Sequence, residues 1–358
     1  MTKNIYILKL LLVTAIFLAA KNLCYSQPAK RFVIKGKIHG LKNGFMLVSY
    51  STKKNIQDTI IIKEGKFSYS GKVFEPTLAT FYLDKKAISF YLEKGKMIFD
   101  AKNDSFTKAE LFGSQTNDDM EFRGVLINNR IKINTENNIQ EDIPQLTFAI
   151  DTGFINSTPE SYYSLRLLNF YFSDLDYKFI TAAFGKFKKK YQESKMGIDL
   201  RDKLELSAKS LPGVQVNNFT FLNEKGGSVS LKSIAEQHNI IAIDLWASWC
   251  IPCRENTPFV KSLYNKFNSK GLGILSLSID KKKESWIKAI QEDGINIWYN
   301  GIDDERKSIE NLLGIISIPT IILLDKNLKI INKFNGRWKG KRDLELAVNN
   351  ALSNIEAP

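Results

Sequence analysis

The chain has 358 residues, 44% of them hydrophobic, with 51 Lys and Arg against 38 Asp and Glu for a formal net charge of +13. That is enough apolar material for two or three domains. Two histidines, His39 and His238, are isolated from one another and from the three cysteines, which excludes a Cys/His zinc site. The basic balance is dense only over residues 186–190 and 281–283 and comes with no nucleic-acid-binding signature, so it reads as solvated lysine faces and no nucleic-acid partner is expected. What remains for these charges is a weak attraction to an anionic membrane surface.

Residues 1–26 follow the plan of a secretory leader: Lys3 and Lys9, an apolar run over residues 10–20, and a polar end at Cys24-Tyr25-Ser26. The run is shorter than the roughly 20 residues that a spanning helix needs. Cleavage near Ser26 is expected, with an uncleaved anchor as the alternative. Cys24 raises a lipoprotein, but Lys21-Asn22-Leu23 lacks the small residues such a site wants before its cysteine. Cleavage leaves Cys250 and Cys253 as the only cysteines of an exported chain, and a lone pair three apart in a chain with ample core is not a structural staple.

Residues 27–112 read as a β-sandwich-like domain. Strands are expected over 31–38, 45–48, 58–62, 67–70, 79–83, 88–92 and 97–99, with turns at Asn43-Gly44, Glu64-Gly65 and Lys94-Gly95. No acid–base, phosphate or metal constellation occurs there, so docking or scaffolding is the expected role. Residues 113–210 read as a helical linker region, with breaks at Asn128-Asn129 and Asn137-Asn138 and a dense aromatic stretch from Tyr162 to Tyr177 that reads as core. Asp151-Thr152-Gly153 matches the short motif of aspartic proteases, but the two-carboxylate chemistry needs a second copy and the chain has none.

From residue 211 the periodicity alternates between strand and helix. A hairpin is expected over 219–231, a buried strand over 240–245, and a helix from about Cys250 on the spacing of Phe259, Val260, Leu263, Tyr264 and Phe267. A second buried strand covers 274–279, followed by a helix over 284–291, a short strand over 295–298 and a helix from Glu305 to Leu313. An antiparallel pair, 321–324 and 328–334, and a last helix over 341–355 close the chain. The expected result is a mixed sheet with helices on both faces. At the junction of the 240–245 strand and its helix stands Trp246-Ala247-Ser248-Trp249-Cys250-Ile251-Pro252-Cys253. A cysteine at a helix N-terminus meets unpaired N–H groups and the positive end of the dipole, which favour a thiolate. The second cysteine, one turn on, is within disulfide reach.

This run resembles the active site of the thioredoxin superfamily, with Pro258 where the family's kinked first helix carries a proline. A second matching run, Gly314-Ile315-Ile316-Ser317-Ile318-Pro319-Thr320, lies far downstream. The resemblance covers residues 211–358 and implies an α/β thioredoxin fold. The long stretch between Cys253 and Pro319, the leading hairpin and the leader resemble the TlpA/ResA-like branch of exported thiol-disulfide oxidoreductases. The β domain resembles the domain of unknown function that precedes thioredoxin modules in many bacterial envelope proteins. Enlarged folds of the peroxiredoxin kind compete, but Ala247 stands where they place a peroxide-orienting threonine.

The resemblance implies that Cys250 attacks a substrate disulfide and Cys253 resolves the mixed disulfide. It implies further that Asp244, matching the family's buried aspartate, takes the Cys253 proton. Trp249 and Pro252 border the site. Ile318, before a cis Pro319, offers backbone to an extended substrate. The branch's usual glutamate three residues after the second cysteine is replaced by Asn256, with Glu255 one residue early and about 100° around the helix. No cofactor beyond the Cys250–Cys253 disulfide is implied. The implied partners are protein disulfides or dithiols of the periplasm or cell envelope of a Gram-negative bacterium, cytochrome c apoproteins among them, and a membrane electron donor. A redox-gated binding or scaffold protein is the alternative from another class.

Overall fold

The computed structural model describes residues 28–51, 54–303, 308–335 and 341–356. The expected leader, with Lys3, Lys9, Lys21 and Cys24, lies outside them, as does the expected start of a helix at Glu305. None of the described helices is long and apolar enough to cross a membrane. The chain divides into two units, one of residues 1–170 and 179–200, the other of residues 171–178 and 201–358.

The first unit opens with eight strands whose alternation sends one side chain in and the next out. They are β1 (Lys30–His39), β2 (Asn43–Ser51), β3 (Asn55–Lys63), β4 (Lys66–Val73), β5 (Thr77–Leu83), β6 (Lys86–Leu92), β7 (Gly95–Lys102) and β8 (Glu110–Phe112), in the order β6-β5-β2-β3-β4-β1-β7-β8. β3 and β4 meet only at Lys63 and Lys66, across Glu64 and Gly65, both at positive φ. A Cβ on Gly65 would stand 2.9 Å from the carbonyl oxygens of Ile38 and Leu41, so only glycine fits this turn. The sheet folds over there. Phe81 on β5 and Phe99 on β7, separated by four strands in the order, touch with ring centroids 5.7 Å apart. The expected sandwich-like layering is therefore present, built from one open sheet folded over Phe32, Met46, Phe81 and Phe99.

Helices follow at Gln115–Glu136, Ile143–Ser157, Tyr162–Phe170, Tyr177–Lys186 and Lys195–Ser207. The expected break at Asn128-Asn129 does not exist: both lie exposed inside a 22-residue helix, where Asn costs only a fraction of a kcal/mol. Asn137 and Asn138 do end it, Asn138 at φ +55°. Asn117, in the first turn, pairs its side chain with both backbone groups of Tyr91, fastening this helix to β6. Tyr162, Tyr163, Leu165, Leu167, Leu168 and Phe172 are core, as expected, but Phe170, at the end of its helix, is 72% exposed, and Tyr171, Leu175 and Tyr177 are only half-buried.

The second unit is a seven-stranded mixed sheet in the order β10-β9-β13-β12-β11-β14-β15: β9 (Thr220–Leu222), β10 (Ser228–Ser230), β11 (Ile240–Trp246), β12 (Leu272–Ser278), β13 (Tyr299–Ile302), β14 (Thr320–Asp325) and β15 (Ile330–Asn335). β11 is central, parallel to β12 and antiparallel to β14. Its odd residues Ile241, Ile243 and Leu245 face one apolar cluster, while Ile240, Ala242 and Trp246 face the other, which also holds Cys250, Cys253 and the helix Ile251–Phe267. The short strand expected over 295–298 forms instead at Tyr299–Ile302, because Asn300 donates to the carbonyls of Ile295 and Trp298 and holds those residues in a turn.

Candidate active site

β11 ends at Trp246, three turn residues follow, and Cys250 caps the helix Ile251–Phe267. Cys250 is extended (φ −83°, ψ 92°), and its Sγ accepts the backbone N–H of Cys253 at 3.2 Å. That is the geometry in which an N-cap side chain satisfies an orphan donor, with sulfur in place of the usual oxygen. Cys250 and Cys253 are joined by a disulfide, Cα atoms 5.3 Å apart. Both are buried, at 5% and 6% exposure, whereas Trp249 and Ile251 beside them are 64% and 69% exposed. Pro252 sits in the first turn, where its missing N–H costs nothing, and Pro258 lies inside the helix. An oxidised dithiol thus lies just under an apolar rim.

Ile318-Pro319 is a cis peptide, as the resemblance implied. Leu245 pairs with Thr320, so Pro319 lies at the end of β14 that adjoins Trp246 and the cysteine turn. Ile318 packs against the cluster that contains both cysteines. Trp246 is buried beneath, at 2% exposure.

The alternation of β11 puts Asp244 on the same face as Ala242 and Trp246, hence on the face covered by the cysteine-bearing helix. Burial pushes its carboxyl up to about 7, against a smaller lowering by the Ser276 hydroxyl, which donates to Oδ2 at 3.3 Å. The Trp298 indole in turn donates to that hydroxyl at 3.0 Å. Asp244 therefore makes its hydrogen bond to Ser276 rather than to either sulfur. Glu255 points to solvent, and Asn256 is buried with no partner for Nδ2 among the described residues. Three contributors were missed in the sequence: Ser276, Trp298 and Asp280, whose carboxylate binds Ser248. Ser276 interrupts and Asp280 follows the apolar run 274–279, but neither names its partner in the sequence, and nothing near Trp298 marks it as a donor to Ser276.

Among the described residues no group of His, Cys, Asp and Glu could hold a metal ion. The Asp151-Thr152-Gly153 motif is not a site: Asp151 is buried inside the helix Ile143–Ser157 and forms a two-point ion pair with Arg123, at 2.6 and 2.8 Å.

Residues 238–330 match a thioredoxin-like family model, and residues 32–120 match a domain of unknown function, DUF4369. The thiol-disulfide oxidoreductase ResA of Bacillus thuringiensis subsp. konkukian is 26% identical over 133 residues, 37% of this chain and 74% of that protein. That of Geobacillus thermodenitrificans is 27% identical over 90 residues, 25% of this chain and 51% of that protein. The crystal structure of the thioredoxin domain of a thiol-disulfide oxidoreductase from Bacteroides vulgatus is 29% identical, covering 40% of this chain and 96% of that one, with a TM-score of 0.33. The chain thus joins a DUF4369 domain to a C-terminal thioredoxin-like domain that is similar to thiol-disulfide oxidoreductases.

Proposed function

We propose that this protein reduces protein disulfides in the cell envelope of a Gram-negative bacterium by way of a mixed disulfide. The observation that carries the reading is the Cys253 N–H aimed at the Cys250 sulfur at a helix N-terminus, the arrangement that stabilises a thiolate. In the reduced enzyme the Cys250 thiolate attacks one sulfur of the substrate disulfide and expels the other as a thiolate. Cys253 then loses its proton to the Asp244 carboxylate and attacks the Cys250 sulfur. That expels the second substrate thiolate and leaves the Cys250–Cys253 disulfide. Asp244 suits this task because burial holds its affinity for a proton near that needed at neutral pH. Two electrons from a dithiol donor at the membrane restore the reduced enzyme.

The rim of Trp249, Pro252 and Ile318 receives the substrate, and the backbone at Ile318-Pro319 pairs with an extended segment of it. The leader-like pattern of residues 1–26 supports export, and cytochrome c apoproteins are among the clients that the resemblance to the TlpA/ResA-like branch implies. The deciding measurement is the potential of the Cys250/Cys253 couple in thiol buffers of known poise. A value near that of thioredoxin, about −270 mV, is expected for a reductant, whereas one near about −120 mV reverses the direction to disulfide formation. Absence of any reversible two-electron couple overturns the reading. Cys253→Ser is expected to trap a substrate on Cys250, visible as a thiol-sensitive adduct on a non-reducing gel, and Cys250→Ser is not.

A further inference from the structure

One carboxylate grips the turn that carries the first cysteine. Asp280, two residues beyond β12, is only 7% exposed. Its Oδ2 accepts the backbone N–H of Ser248 at 2.8 Å and the Ser278 hydroxyl at 2.7 Å, while Oδ1 accepts the Ser248 hydroxyl at 2.7 Å. Its own N–H donates to Ser278 Oγ at 3.0 Å, which fixes the carboxylate's stance. The neighbouring Ile279 N–H donates to the Trp246 carbonyl at 3.0 Å. The end of β12 thus holds the backbone on both sides of Ala247, and the next two residues are Trp249 and Cys250.

Burying a carboxylate is costly unless hydrogen bonds offset the lost water, and here three donors do so. Packing alone would be met by an apolar side chain of similar size at no such cost. All of these bonds go to the two serines, so Asp280 acts on the chemistry only through the turn. What the turn controls is the stance of Cys250 as helix cap, with the Cys253 N–H 3.2 Å from its sulfur, and the placement of the exposed Trp249 beside it. A hydrogen bond of that length is weakened by a shift of a few tenths of an ångström. We infer that Asp280 is a positioning residue for thiol-disulfide exchange: through Ser248 it sets how Cys250 caps its helix and so how readily that sulfur carries negative charge. The inference rests on the exchange reading above.

The test uses the full chain with Asp280→Asn, Ser248→Ala and Ser248→Thr. Asp280→Asn keeps the shape but turns an NH₂ group toward a donor, and Ser248→Ala removes one bond without touching the carboxylate. Three quantities are read: the pH midpoint of Cys250 alkylation by iodoacetamide in the reduced protein, kcat and KM for reduction of a protein disulfide, and the melting temperature. Asp280→Asn is expected to raise the alkylation midpoint by on the order of half a pH unit or more and to lower kcat about tenfold with KM little changed. Ser248→Ala is expected to shift both in the same direction by less, and Ser248→Thr to restore the wild-type values. Variants that melt earlier but keep the wild-type midpoint and kcat overturn the inference, leaving a structural role only. A midpoint that falls also overturns it, since the carboxylate would then act by its charge. If Asp280→Asn does not fold, Ser248→Ala decides by the same criteria. A wild-type protein with no reversible couple defeats the exchange reading itself, an outcome distinct from a competent wild type whose variants do not differ.

Discussion

Asp244 is the residue at which burial and chemistry pull in opposite directions. A carboxyl pushed from 3.8 up to about 7 means that the folded chain holds a proton the unfolded chain has already lost across that window. Stability therefore falls as pH rises from about 4 to about 7, and the full cost is present above that. Asp244→Asn is expected to melt above the wild type at pH 8, by a free energy on the order of 2–4 kcal/mol at about 1.4 kcal/mol per pKa unit, and to differ little near pH 3. Its rate of mixed-disulfide resolution should fall, and an unchanged rate would remove the proposed base. Ser276 sharpens the test. The Trp298 indole can only donate, so the Ser276 hydroxyl is left to give its own proton to Asp244. Ser276→Ala should push the pH dependence of resolution upward, measured as the rate of release of a trapped substrate against pH. Asp244 was legible in the sequence as a lone acid in an apolar strand. Ser276 and Asp280 were not, because a polar residue near the end of a buried strand declares its partner only once the neighbouring strand and turn are in place.

Among the elements, the helix Gln115–Glu136 shows where pattern reading fails. Two adjacent asparagines look like a break, yet their small helix penalty is overridden once Ser114 caps the start and Asn117 fastens the first turn to β6. The same helix supplies Arg123 to the buried Asp151, so Asp151→Ala should destabilise the N-terminal unit by about 3–5 kcal/mol in urea, leaving the potential of the Cys250/Cys253 couple as it was. On β15, Lys333 donates to Ser210 Oγ at 2.7 Å and to the Gly314 carbonyl at 3.0 Å, just ahead of the loop that carries Pro319. Burial pushes its amine down from 10.5 to about 8. Between those values the unfolded chain binds the extra proton, so the thioredoxin-like unit should gain stability as pH rises from about 8 to 10.5. Denaturant titrations across that range check it, and Lys333→Met should flatten the dependence. The strands of the folded-over sheet were largely legible from alternation; β8, three residues long, was not, since so short a run leaves no period to detect.

For the whole molecule, each unit has an apolar core of its own: the first around Phe81 and Phe99, the second on the two faces of β11. Reducing the disulfide should therefore move only the unfolding transition followed by Trp286 and Trp298, both buried in the second unit, in calorimetry paired with tryptophan fluorescence. The parallel pairing of β1 with β7 has a different bearing. Ile34 lies opposite Met97, so one edge of the first strand to be made finds its partner only after roughly sixty more residues have been added. Until then that edge presents unpaired backbone groups to any other extended chain nearby. β1 thus keeps one edge open to mispairing until β7 is in place, and completion of the first unit's sheet waits on β7.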